Sequence, residues 1–172
     1  MNQEFFSFGF KSNNIDLFVE VSGVYDYELL KTGNLSSDKI VVKKSQGKKA
    51  YDVVRLQDSW NFLISEKLKN ALENANLTGW KTYQVESEDL PTKYYGFQCI
   101  GKCGPAFKPK QTGFITGYSF DISTWDGSDF FITGSTMHIL CTEKAMNVLN
   151  SMKIKNIELE NIKTLKWYNA GE

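Results

Sequence analysis

The sequence predicts an α+β fold, in which a mixed, largely antiparallel sheet carries two amphipathic helices. Three observations lead there. Strand-like alternation of apolar and polar residues recurs along most of the 172 residues. A helical period is clear in only two stretches, after Ser65 and after Thr142. Both stretches lie inside copies of one strand–cap–helix–strand unit, residues 62–85 and 139–162, offset by 77 positions (62 to 139). The length suits a single domain spanning 1–172.

The N-terminal part, residues 1–56, reads as β-rich. Residues 3–10 and 15–24 are expected strands, the second because Ile15, Leu17, Val19 and Val21 alternate with polar neighbours. Asn13-Asn14 marks a turn between them. Residues 25–38 are mixed, with a turn at Gly33-Asn34 after a short helix. Lys39–Lys49 holds five lysines and no acid around Ile40-Val41-Val42. It predicts a hairpin turning at Gln46-Gly47, with lysines guarding an exposed edge or, as the alternative, forming a patch for an acidic partner. Residues 51–56 read as one more strand.

The two units then follow. Identical pairs are Leu63/Leu140, Glu66/Glu143, Lys67/Lys144, Asn70/Asn147 and Leu72/Leu149. The exchanged pairs keep the physics. Ser65 and Thr142 can each accept a free amide at a helix N-cap. Glu66 and Glu143 suit the positive end of the helix dipole. Leu68, Ala71, Leu72 and Ala75 form one apolar stripe, repeated by Ala145, Val148, Leu149 and Met152. Gly79 and Asn156 are the residue types most tolerant of a left-handed backbone. Trp80–Val85 and Ile157–Ile162 then return as strands. Between the units, Tyr94–Ile100 and Phe114–Phe120 read as strands, Gly101–Lys110 as a loop and Ser123–Ser128 as a turn. Asp129–Thr133 leads into the second unit.

Composition narrows the functional classes. Acids and bases number 20 each, so no global field steers a polyanion or a membrane surface. Arg55 is the only arginine, whereas base readout and forked phosphate grip lean on that residue, so no nucleic-acid partner is expected. The start, Met1-Asn2-Gln3-Glu4-Phe5-Phe6, has no secretory pattern, and no apolar run reaches membrane-spanning length. Three cysteines do not make a disulfide framework. A cytoplasmic protein without a membrane partner is the expectation.

Chemical motifs are sparse. Cys99, Cys103, His138 and Cys141 use every cysteine and the single histidine, a set a tetrahedral zinc could take. The candidate is weak. The first pair is spaced C-x3-C, His138 and Cys141 would face opposite sides of a strand, and Cys141 stands where the first unit has Ile64. Asp121, Asp126 and Asp129 surround Trp125 and Gly127 without the ligand spacing of a calcium loop, which leaves a polar turn closed on its own amides. Gly101-Lys102-Cys103-Gly104 is too short for a phosphate cradle. His138 has no nucleophile motif around it. No catalytic residue and no cofactor is expected.

Two phrases carry a family resemblance. Leu77-Thr78-Gly79-Trp80-Lys81-Thr82-Tyr83 follows a Ser-Glu-Lys helix, and Trp125-Asp126-Gly127-Ser128-Asp129-Phe130-Phe131 precedes a Thr-Glu-Lys helix. Over residues 52–162 the chain resembles bacterial immunity-type proteins of polymorphic toxin systems, whose myxobacterial relatives carry doubled CxxCG motifs. It departs from those relatives at Cys99–Gly104, where three residues separate the cysteines and the motif occurs once. The resemblance implies a cytoplasmic protein that binds and neutralises a cognate toxin without catalysis. Trp125, Asp126 and Asp129 are then the candidate contact residues, since aromatics beside charges suit interfaces, with a core anchor as the equal alternative for Trp125. The alternative is an enzyme or small-ligand binder using a groove between the units, lined by Asp126, Asp129 and His138.

Overall fold

The computed structural model describes residues 3–11, 13–23, 26, 39–58, 61–107, 110–134, 136 and 138–169. The expected turn and short helix within 25–38 lie outside them, apart from Asp26. The α+β expectation holds, with two helices on a strand-rich body. The sheet is not single, however. Six strands close into a barrel in the order β2 (Phe18–Val21), β3 (Lys39–Gln46), β6 (Trp80–Glu86), β7 (Tyr94–Cys99), β5 (Phe62–Ser65), β4 (Val53–Arg55). A five-stranded sheet runs β14 (Ile157–Asn161), β1 (Phe5–Phe10), β13 (Ile139–Thr142), β12 (Phe130–Thr133), β8 (Gly101–Cys103). Two small ribbons pair β9 (Ala106–Phe107) with β11 (Ser119–Phe120), and β10 (Gly113–Thr116) with β15 (Lys166–Asn169). The helices are α1 (Glu66–Asn74) and α2 (Glu143–Ser151).

The repeat is structural, and longer than the sequence pattern suggested. In the barrel, β4, β5, β7 and β6 lie side by side, all antiparallel to their neighbours. In the open sheet, β12, β13, β1 and β14 do the same. Registers agree residue for residue: Val53 faces Ile64 as Phe130 faces Cys141. The inserted strand also matches. Tyr94-Tyr95-Gly96-Phe97 of β7 faces Ser65–Phe62 as Phe5-Phe6-Ser7-Phe8 of β1 faces Thr142–Ile139. One unit takes this strand from the residues after its helix, the other from the N-terminus. Even the flanking strand agrees, since β2 runs parallel to β4 and β8 parallel to β12.

Each helix starts as its cap predicts. Ser65 Oγ accepts the Leu68 amide at 3.1 Å, and Thr142 Oγ1 accepts that of Ala145 at 3.3 Å. The stripes of both helices enter one shared core with Phe8, Phe62, Phe97, Phe130 and Ile157. Phe62 stacks on Phe97 at 4.7 Å, and Phe97 meets Phe130 edge-on at 5.4 Å. A second cluster fills the barrel with Leu17, Val19, Val42, Val54, Leu56, Leu63 and Tyr94. A third lies on the other face of the open sheet around Phe5, Phe131, Leu140 and Tyr118.

Several expectations are corrected. β3 is not a lysine-guarded edge: it pairs with β2 on one side and with β6 on the other, and so closes the barrel. The turn at Gly47 exists, with φ +72°, but the chain then passes to the far side of β2. Asn156 is not left-handed. The matched left-handed residues are Asn76 and Lys153, at φ 49° and 53°, immediately after each helix. Gly79 is left-handed at φ +82°, and a Cβ there would collide with the Phe130 carbonyl. Asn156, its counterpart, instead donates Nδ2–H to the carbonyl of Val53 at 2.8 Å. Val53 is the counterpart of Phe130. Position 79/156 of each unit therefore meets the first strand of the other, a pseudo-two-fold lock. The expected strand 114–120 is broken by Gly117 at φ +69°. The expected loop 101–110 contains β8 and β9, and β15 had no expectation at all.

Candidate functional site

The loop before the second unit is built on its own hydrogen bonds. Asp121 accepts from the Oγ and amide of Ser123, at 2.8 and 2.9 Å, and these bonds hold its carboxyl below the usual carboxylate range. Asp126 accepts the amides of Lys102 and Ser128 at 2.7 and 3.0 Å. Partial burial works against its charge, but the bonds from Ser128 and the Lys102 amide outweigh that effect and its pKa falls. Trp125 is half-buried, edge-on to Phe5 at 5.2 Å, with its indole N–H donating to the Ser128 carbonyl at 3.1 Å.

Asp129 is the structural centre of this region. It is 7% exposed. Its carboxylate accepts the Thr142 hydroxyl at 2.9 Å, the Thr78 amide at 2.9 Å and the Lys144 ammonium at 3.3 Å. Its carbonyl accepts the Thr142 amide at 3.0 Å. The first unit repeats this at Asp52, which accepts the Ser65 hydroxyl at 2.7 Å and the Ser65 amide at 2.8 Å, and lies 3.7 Å from Lys67 Nζ. Each acid stands 13 residues before its cap. This Asp–Ser/Thr–Lys set orients the cap hydroxyl, whose oxygen then accepts the helix amide. The signal was in the sequence, as a sixth identical pair, Asp52/Asp129, upstream of the recognised repeat.

The four residues of the zinc candidate are distributed. Cys99 and Cys141 are in the shared core, and Cys103 is in the third cluster with Sγ 3.4 Å from Thr124 Oγ1. His138 stacks on Tyr118 at 5.7 Å, and its Nδ1 lies 3.3 Å from that phenol oxygen. Among the described residues, no three His, Cys, Asp or Glu side chains converge as a metal would need. Burial pushes the Cys141 thiol up to about 12, raises Cys99 as well, and lowers His138. The single arginine is also used internally: its guanidinium lies over the rings of Phe18 and Phe10, at 4.6 and 5.5 Å.

Core side chains occupy the space between the units. Cavities of about 630, 590 and 340 Å3 open elsewhere among the described residues, and none of these is lined by Asp126, Asp129 or His138. The first lies between β3 and the β6–β7 connection, with Lys43, Glu86, Glu88, Asp89 and Lys93 on its walls. The other two are counterparts. Glu73, Asn76, Leu77, Trp80, Lys81 and Thr82 line one, and Asn150, Lys153, Ile154, Ile157, Glu158 and Leu159 line the other at the same positions of the second unit.

The feature that sequence reading missed is apolar and exposed. Ile100, Phe107, Phe114, Ile122 and Tyr168 are five of the seven exposed large hydrophobic residues described. They sit between the units or on β15, not on the units themselves. Phe114 is 84% exposed and Tyr168 is 63% exposed. They face each other across the β10–β15 ribbon with ring centroids 5.4 Å apart. The other ribbon face turns inward, with Ile115 buried and Trp167 packed on Tyr118. Residues 110–120 and 162–169 hold Lys110, Lys163 and Lys166 and no acid, the one trace of this surface in the sequence. No helix among the described residues is long and apolar enough to cross a membrane. No protein-family model matches the chain, and neither does any curated protein.

Proposed function

We propose that the chain is a non-catalytic binding protein of the immunity type, acting in the cytoplasm by direct contact with a bacterial toxin. The observation that carries this reading is the exposed Phe114–Tyr168 pair on a ribbon anchored from behind. Rigid aromatics on a fixed support are the residues that dominate protein interfaces. Lys166, on the same face of the ribbon, suits an acidic partner surface. Trp125 packs on Phe5 and Phe131 in the cluster that also holds Trp167 of the ribbon, while Asp126 and Asp129 hold the loop that carries it. The same reading is supported by the resemblance over 52–162 and by polar side chains engaged in folding instead of converging on a cleft.

The test is co-expression with the toxin encoded beside the gene. The wild-type chain co-purifies with that toxin and protects the host. Phe114→Ala with Tyr168→Ala weakens binding by about 2 kcal/mol or more, the scale of an interface hot spot, while the thermal midpoint stays in place. A wild-type chain that neither binds nor protects overturns the reading.

A further inference from the structure

Within the open sheet, β14 is an edge strand. Two bonds fix its phase: the Lys11 amide donates to the Asn156 carbonyl, and the Ile162 amide donates to the Phe5 carbonyl, both near 3 Å. In an antiparallel pair such bonds recur at every second residue, so Glu158 and Glu160 also bond to β1. Ile157 and Leu159 therefore point their N–H and C=O groups away from the sheet. They open onto the groove of about 340 Å3 between β14 and α2, with Asn150 and Lys153 on its helix side. The side chains of Glu158 and Glu160 lie on the opposite face, exposed and without an ion pair among the described residues.

We propose that this edge takes up an extended segment of a partner protein in which basic and aliphatic residues alternate. The charges of β14 and the other unit indicate this occupant. In that unit the counterpart strand β6 is extended at its C-terminal end by β3, whose Lys39-Ile40-Val41 lies parallel to Gln84-Val85-Glu86, with Lys39 ion-paired to Glu86. On β14 the acids stand at Glu158 and Glu160, and they call for basic side chains in the same way. Aliphatic side chains of the incoming strand lie over the groove on the α2 side, and basic ones reach Glu158 and Glu160. A second copy of this chain is the wrong occupant. Any two-fold pairing of β14 with itself sets glutamate against glutamate, which is destabilising. This edge is separate from the Phe114–Tyr168 face, and the inference does not depend on the toxin reading.

The test uses the full chain and end-capped peptides of alternating lysine and valine or alternating glutamate and valine. The lysine peptide is expected to bind and to slow exchange of the Ile157 and Leu159 amides; the glutamate peptide is not. Leu159→Pro removes an outward amide, which an edge strand tolerates, together with a side chain packed on the shared core, and weakens binding about tenfold relative to Leu159→Ala, which loses the side chain alone. Glu158→Lys with Glu160→Lys reverses the preference to the glutamate peptide and keeps the fold readout independent of proline. The proposal is overturned if neither peptide slows those amides in the wild-type chain, which leaves the glutamates as guards against strand pairing. Binding unchanged by both variants overturns it equally.

Discussion

The two units share strand order, register, cap and lock, yet their inner faces are sealed differently. The first is closed by a strand: β3 joins β6 to β2 and encloses an aliphatic interior of Leu, Val and one Tyr. The second has no such strand. Its corresponding face, Phe5, Phe131 and Leu140, is covered by Tyr118, Phe120, Trp125 and Trp167, which come from the inter-unit segment and the C-terminal strand. A strand uses its backbone to seal. An aromatic cover leaves backbone edges open and presents its outer residues to solvent. The exposed Phe107, Phe114 and Tyr168 belong to the ribbons of that cover, so the second unit's different closure is what puts aromatic side chains on the surface.

Substitutions at matched positions sharpen the comparison. The largest difference is expected between Asp129→Ala and Asp52→Ala. The first leaves the Thr78 amide and the Thr142 hydroxyl without their acceptor in a buried setting and takes one partner from the half-exposed Lys144, at about 3 kcal/mol. The second removes one good hydroxyl bond and a mostly exposed ion pair, at about 1 kcal/mol. Equal losses in denaturant titrations would break the claim that Asp129 has the additional task of joining the units. Gly79→Ala and Asn156→Ala come next. Alanine at 79 meets both a left-handed backbone and the Phe130 carbonyl, for about 2–3 kcal/mol, whereas alanine at 156 frees only the Val53 carbonyl, for about 1 kcal/mol.

A pH series probes the aromatic cover alone. Burial lowers the His138 pKa, so the unfolded chain holds more protons than the folded one in the window below the ordinary value of 6.5. Its contribution to stability is fully present above that value and is lost as pH falls toward the folded pKa. His138→Gln should flatten stability between about pH 5 and 7, while matched substitutions in the barrel leave the slope unchanged. The smallest effect is expected on the outer surface, where Phe114→Ala and Tyr168→Ala each change stability by less than about 0.5 kcal/mol.

Local chemistry made the units legible. Ser65 and Thr142, the acid after each, and the two stripes depend on neighbours within one or two turns, so sequence spacing reports them directly. The third strand of the second unit was hidden because it is β1, at the far end of the chain. Its aromatic pattern matches β7, but no continuous alignment reaches it. Barrel closure was hidden because it depends on which long-range edge β3 meets, and alternation within Lys39–Lys49 carries no such information. β8, β9 and β15 are two to four residues long, below the length at which period distinguishes strand from loop. Of the candidate contacts, Asp129 was readable as a repeat position once the comparison reached Asp52. The Phe114–Tyr168 pair was not readable, because it forms across a ribbon whose strands are some fifty residues apart in the chain.

Native-state hydrogen exchange resolved by residue tests the central claim most directly: one frame, closed by a strand in the first unit and open at β14 in the second. Glu86, whose outward amide meets β3 at Ile40, should exchange slowly. In β14, Glu158 and Glu160 should be slow and Ile157 and Leu159 fast, an alternation that only an unpaired edge gives. Uniform protection along β14, equal to that of Glu86, would contradict the account.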